Sequence, residues 1–251
     1  MATSTAGDGR YHAPWTRTVA LRAEVGAAWD WLRRPGLLSR IYPALRRHLS
    51  QAPASTAYAF TLFVTWWTLR GLGPVEERRL ILSASTNLYN MHHNPVQVLV
   101  ASAFWTEGNF PWVTIAEFLI VMAYAERWLG TGRWILLFAT GHIGASLVTV
   151  YGIARAIEHK VIPLRVAIAP DVGTSYGFTA VLAALAFRFR GVVRLGWVVL
   201  VLAVLIAACV SNRTFTDYGH LCAGLIGLLA GTIASTFWGR IEHRRVVRAT
   251  A

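Results

Sequence analysis

The sequence predicts an all-α, polytopic membrane protein built as a bundle of six transmembrane helices, and three observations lead there. Of the 251 residues, 55% are apolar and only 14% are charged, too little charge to cover a soluble protein of this size. The apolar residues fall into six runs. The basic residues gather between those runs, where positive charge orients membrane segments. That placement answers the net charge of +12, which by itself would suit nucleic acid; nucleic acid is therefore not an expected partner, and membrane lipid is.

Residues 1–55 form a basic cytoplasmic extension in this reading, with no apolar stretch long enough for a secretory signal and no small-residue cleavage site. Within it, Val25 to Leu38 and Ile41 to Leu49 mix Trp29, Trp31 and leucines with Arg33, Arg34, Arg40, Arg46 and Arg47, as an interfacial helix against anionic lipid would. A partly disordered basic tail is the alternative. The membrane domain is expected over 56–238, and a second basic cytoplasmic tail over 239–251.

The six spans are read as Tyr58 to Leu69, Trp112 to Ala125, Trp134 to Tyr151, Gly173 to Phe187, Val192 to Val210 and Tyr218 to Trp238. Several fall short of the ~20 residues that a lone spanning helix needs, which predicts helices enclosed by their neighbours. Between the first two runs the connection from Gly71 to Pro111 carries Asn90-Met-His-His-Asn94 and an apolar stretch, Val96 to Trp105, expected to dip into the outer interface. His92 and His93 read as an exposed loop pair. Cys209 and Cys222 lie inside apolar runs without a ligand spacing, so no metal, disulfide framework or cofactor is expected. Orientation follows from the extension, Arg127 with Arg133, Arg188 with Arg190 and Arg194, and Arg240 to Arg248, which put both termini in the cytoplasm of a cell whose plasma membrane the chain crosses an even number of times.

Chemistry concentrates at the tops of the fourth and sixth runs. Asp171-Val-Gly-Thr-Ser-Tyr-Gly177 leads directly into the fourth, which sets Ser175 near its outer end; Asp217-Tyr-Gly-His220 opens the sixth and sets His220 at similar depth. Serine is a poor nucleophile until a neighbouring base takes its proton, so a hydroxyl and an imidazole at one level are candidate catalytic residues. Gly173, Gly177, Ala180 and Ala184 line one side of the fourth helix, and Gly224, Gly227 and Gly231 continue below His220, which lets two backbones approach closely. Small residues that simply pack helices, with Ser175 bonded to a nearby carbonyl, are the other reading of the same pattern.

From roughly Ser102 to Gly231 the sequence resembles the rhomboid family of intramembrane serine proteases. The likeness rests on Ala125-Glu126-Arg127-Trp128-Leu129-Gly130-Thr131-Gly132-Arg133 after the second span, Gly173-Thr174-Ser175 opening the fourth, and Gly219-His220 with Gly224 and Gly227 in the sixth. By resemblance, Ser175 is the nucleophile and His220 the general base and then acid, cutting transmembrane segments of other proteins. Glu126 is expected to anchor the turn that follows it. The positions where family members carry histidine and asparagine to hold the oxyanion are Phe110 and Thr114, and Tyr176 stands where a glycine usually follows the serine, with Thr179 where an aromatic often stacks on the histidine. These departures set a second expectation beside the peptidase: a catalytically inactive relative that binds transmembrane client proteins. Tyr176 is read either as a substitute oxyanion donor or as packing, and Asp217 as orienting His220 or as capping the sixth helix. Glu117, inside the second run, needs protonation or a partner, for which His142 on the third helix is the candidate. A proton or small-solute pathway through Glu117 and His142 is a third class, without the inverted repeat that would support it.

Overall fold

The six apolar runs are helices, and short helices fill most of what lies between them. The protein is described by a computed structural model covering residues 14–106, 108 and 110–250, without the side chains of 239 and 242–250. Residues 1–13 of the basic extension and the last residue of the tail, Ala251, lie outside the described residues. Among those described there is no strand, only one isolated parallel bridge between Val19 and Phe189.

The extension forms α1 (Leu21–Arg33) and α2 (Leu37–Ser50), so its central part is ordered helix. α3 (Pro53–Arg70) opens with proline in its first turn, where the missing N–H costs nothing; the expected domain boundary at 55/56 thus falls inside this helix. The long connection folds as α4 (Pro74–Ala84), α5 (Leu88–His93) and α6 (Pro95–Ser102). The second span is α7 (Trp112–Glu117), continued through a π-helical turn, Phe118–Met122, into α8 (Ala123–Leu129). α9 (Thr131–Glu158), at 28 residues, measures about 42 Å. α10 (Ser175–Ala184) runs on as a 3₁₀ turn, Leu185–Arg188, and is followed by α11 (Gly191–Ser211) and α12 (Phe215–Thr250). The sixth helix does not break where the basic tail begins.

Length and apolar composition alone qualify α9, α11 and α12 up to Trp238 as spans. The others are shorter or more polar, and enclosure by neighbouring helices is uneven among them. α10 is the clearest case: seven of its ten residues are buried, because it is wedged between α9 and α12. The approach is set by glycine. A Cβ on Gly227 of α12 would collide with the Ala180 carbonyl, and one on Gly141 of α9 with the Ala180 side chain, so α10 sits at backbone distance from both neighbours. α11, by contrast, buries only Val201 and Cys209 and turns its apolar surface outward, as a lipid-facing helix does.

A second core fills the space between α3, the α7–α8 helix and α9. Tyr58 stacks on Phe118 at 4.6 Å between ring centroids and on Phe104 at 4.9 Å, and Trp134 stacks on Phe138 at 5.5 Å. Glu126 locks that assembly at the basic end of the bundle. It is 1% exposed; its Oε1 accepts from the Ala54 amide at 3.0 Å and the Thr131 hydroxyl at 2.7 Å, and its Oε2 accepts from the Ser55 amide at 2.7 Å. Glu126 anchors the turn after it through the Thr131 hydroxyl and not through that turn's backbone amides. The amides it satisfies are the orphaned first-turn donors of α3, where helix geometry leaves N–H groups without partners and favours negative charge.

Candidate functional site

At the opposite end of the bundle, α10 and α12 both begin beneath the helices of the long connection. Gly173, at φ +135°, makes the turn that delivers Ser175 to the first position of α10, a conformation open chiefly to glycine. Its amide donates to the Ser102 carbonyl at 2.8 Å, which ties the turn to the end of α6. Ser175 is exposed, and its hydroxyl makes no hydrogen bond among the described residues. His220, partly buried on α12, makes none either.

The relation between Ser175 and His220 is read from the turn below them. Thr179 follows Ser175 by one turn, and Gly224 follows His220 by one turn. Thr179 Cγ2 comes within 3.8 Å of the point where a Cβ on Gly224 would stand. Because residues four apart share a helix face and the two helices start at the same end, Ser175 and His220 stand on the mutually facing sides one turn higher. No hydrogen bond joins them.

Tyr176 lies buried beside that pair. Its ring meets the His220 ring edge-on, 5.2 Å between centroids at 73°, and Gly219 makes the room, since a Cβ there would strike the phenol. The Tyr176 hydroxyl donates toward the Asp171 carboxylate, 3.4 Å to Oδ2 and 3.5 Å to Oδ1. Asp171 also accepts from the Thr86 hydroxyl at 3.0 Å, while the Thr86 amide donates to the Asp171 carbonyl at 2.9 Å. Burial in the loop outside the spans pushes the Asp171 carboxyl up to about 6, against the bonds from Thr86 and Tyr176 that favour its ionised form. The Tyr176 phenol is thus turned toward Asp171. Asp171 itself opens the stretch that sequence reading singled out, yet a role for it was missed, because Thr86 stands 85 residues away.

Asp217 caps. Its carboxylate accepts no hydrogen bond from His220; instead Oδ2 accepts from the Thr214 amide at 3.2 Å and the Thr214 hydroxyl at 2.5 Å, while the Asp217 N–H donates to the Thr214 hydroxyl at 3.2 Å. Thr214 and Asp217 thus close a reciprocal capping box at the start of α12. Of the two expectations for Asp217, orientation of the imidazole is not what the geometry shows.

The expected oxyanion positions supply no side-chain donor bonded within the site. Phe110 packs edge-on to Trp66 at 4.5 Å and against Trp112 at 4.1 Å, and the Thr114 hydroxyl makes no hydrogen bond among the described residues. The expected pair of Glu117 with His142 does not form. His142, 4% exposed, has Nε2 3.0 Å from the Leu99 carbonyl and 3.1 Å from the Ser102 hydroxyl. A carbonyl only accepts, so Nε2 carries the proton and Ser102 is not activated by it; His142 clamps α6 onto α9. Glu117 is half-buried, and its carboxyl makes no hydrogen bond or ion pair among the described residues. His92 and His93 are exposed, His93 Nδ1 lying 2.8 Å from the Tyr89 carbonyl.

What the arrangement offers chemically is an accessible hydroxyl facing an imidazole at the uncapped start of a helix. Thr174 makes no side-chain cap, and the first backbone bond of α10 runs from the Phe178 amide to the Thr174 carbonyl at 2.9 Å. The amides of Ser175, Tyr176 and Gly177 are therefore left without backbone partners. Such a helix start favours developing negative charge. Comparison with known families finds a match to the family model described as "Rhomboid-like protein" over residues 47–236, which runs from the end of α2 through the apolar part of α12. Comparison with curated proteins and with solved structures finds no match.

Proposed function

The chain belongs to the rhomboid-like protein family, and from that premise we propose that it is an intramembrane serine peptidase acting on a transmembrane segment of another membrane protein. Ser175 attacks the scissile carbonyl as its proton passes to His220. The resulting imidazolium gives that proton to the leaving amine, and water, deprotonated by the same imidazole, releases the acyl group from Ser175. The observation that supports this reading is the approach of Thr179 Cγ2 to Gly224 one turn below Ser175 and His220, which suits a pair on facing sides of two helices that start at the same end. Apo catalytic hydrogen bonds are often long and tighten only with substrate bound. The free first-turn amides of α10 take the place of the side-chain donors that Phe110 and Thr114 do not supply. In this reading residues 1–55 and 239–251 lie on the cytoplasmic side of the plasma membrane, and the site opens to the outer side.

One observation favours a second reading. Phe110 is held in an aromatic cluster with Trp66 and Trp112, so the second span lends no donor to an oxyanion, which suits a relative that binds a transmembrane client without cutting it. Proteoliposomes holding the protein and a single-span reporter peptide separate the two. The peptidase yields two fragments whose new ends mass spectrometry locates, and Ser175→Ala abolishes them. Binding of the reporter with no fragment from the wild-type protein contradicts cleavage and leaves the client-binding reading.

A further inference from the structure

α1 and α2 bury no residue, although both carry apolar stripes. On α1 the stripe is Leu21, Val25, Trp29 and Leu32, exposed by 41, 59, 53 and 48%; on α2 it is Leu38, Ile41, Tyr42 and Leu45, exposed by 85, 42, 70 and 49%. Their spacings keep each set on one helix face. Helices of 13 and 14 residues are marginal in water on their own; α2 is tied to the bundle at its end, where His48 Nε2 lies 3.0 Å from the Leu119 carbonyl, while both apolar stripes stay exposed, so this surface needs a partner. Position says which one. The Val19 amide donates to the Arg188 carbonyl at 2.8 Å, the Arg188 guanidinium donates to the Arg17 carbonyl at 2.7 Å, and Arg190 donates to the Thr18 hydroxyl. These bonds fix the start of α1 to the turn between α10 and α11, at the basic end of a membrane-spanning bundle.

There, α1 and the first turn of α11 enclose an open groove of about 790 Å³, with Leu21, Val25, Trp29 and Val193 as apolar wall and Arg22 and Arg190 among its lining. Its volume lies within the ordinary range for a ligand site. We propose that this groove binds an anionic phospholipid, one acyl chain lying along Val25, Trp29 and Val193 and the phosphate between Arg22 and Arg190, so that α1 and α2 rest in the headgroup layer as a collar around the basic end of the bundle. Two features favour lipid over a free phosphate. The wall is apolar and continues into the outward face of α11, where Val192 and Leu195 are 85 and 63% exposed. Glu24 and Asp30 are the sole acids between residues 14 and 50, against arginines throughout, which matches an anionic leaflet rather than a zwitterionic one.

Native mass spectrometry of the purified full chain, titrated with phosphatidylglycerol or phosphatidylcholine, tests this. Phosphatidylglycerol should bind as a single adduct at concentrations about tenfold or more below those needed for phosphatidylcholine. Arg22→Gln, which leaves the Arg190 bond to Thr18 in place, should remove most of that preference, Arg22→Gln with Arg190→Gln should remove all of it, and Val25→Asp should weaken both lipids. Inorganic phosphate at millimolar concentration should not displace the adduct. Equal affinity for the two lipids in the wild type, a preference that survives Arg22→Gln undiminished, or displacement by inorganic phosphate would each overturn the proposal. Circular dichroism of each variant shows whether the helices persist; should the double variant unfold, Arg22→Gln decides.

Discussion

The two ends of the bundle treat their polar side chains in opposite ways. At the basic end Glu126 is sealed from solvent and both its oxygens are filled by three donors from α3 and Thr131. At the other end Ser175 and His220 face each other across α10 and α12 with no hydrogen bond to spend and with the first amides of α10 left open. A buried group whose bonds are all satisfied inside the protein contributes to the fold; an accessible pair whose bonds are unmade is available to a substrate. The difference ties Glu126 to architecture and leaves the Ser175 hydroxyl open, as the proposed chemistry requires.

The sharpest way to break that contrast is to delete each group in turn. Glu126→Ala strands the Ala54 and Ser55 amides and the Thr131 hydroxyl in a dry site, an expected loss of about 3 kcal/mol or more. Ser175→Ala removes an exposed hydroxyl with no partner and should change stability by less than about 0.5 kcal/mol. Thermal unfolding in detergent reads both, and equal losses would erase the division. A rate effect comes next. If the α10 amides carry the oxyanion alone, adding donors from the second span with Phe110→His and Thr114→Asn should raise the rate of Ser175 acylation by about tenfold or more, despite the packing lost around Trp66. An unchanged rate would mean that the second span does not reach the site.

The smallest effect concerns the loop above the site. With its carboxyl pushed up to about 6, Asp171 binds more protons folded than unfolded between pH ~4 and ~6, so the sign of linkage makes stability fall as pH rises through that window. From pH 5 to pH 7.5 the loss amounts to about 1.4 kcal/mol. Asp171→Asn keeps an acceptor for Thr86 and Tyr176 and should flatten this part of the profile in detergent melts. A variant as pH-sensitive as the wild type would place the titration elsewhere.

Much of the architecture was legible because it is written locally. Apolar runs and intervening arginines mark all six helices, and Gly227, with its neighbours Gly224 and Gly231, marks the close packing of α12 on α10, whereas the matching Gly141 of α9 emerges only in the structure. The amphipathic spacing of Leu21, Val25, Trp29 and Leu32 is equally readable in one stretch of chain. Partners distant in sequence were not legible. Glu126 reaches back 72 and 71 residues to Ala54 and Ser55, His142 reaches 40 residues to Ser102, and Asp171 reaches 85 to Thr86, and no periodicity encodes those meetings. The misassigned pair of Glu117 with His142 has this origin: charge logic named a partner, and packing of α6 onto α9 supplied another. Asp217 differs, for capping the sixth helix is one of its two expected roles, and the Thr214-x-x-Asp217 spacing of the capping box lies in plain view in the sequence.

The claim that His220 activates Ser175 is tested most directly by covalent labelling. The full chain in liposomes is treated with a fluorophosphonate, and the modified residue is located by peptide mass mapping. Labelling should fall on Ser175, vanish in Ser175→Ala, and slow by about 10²-fold or more in His220→Ala, the usual contribution of a positioned general base. A Ser175 that labels no faster with His220 than without it, or that stays unlabelled even in the Phe110→His, Thr114→Asn variant, would contradict the dyad.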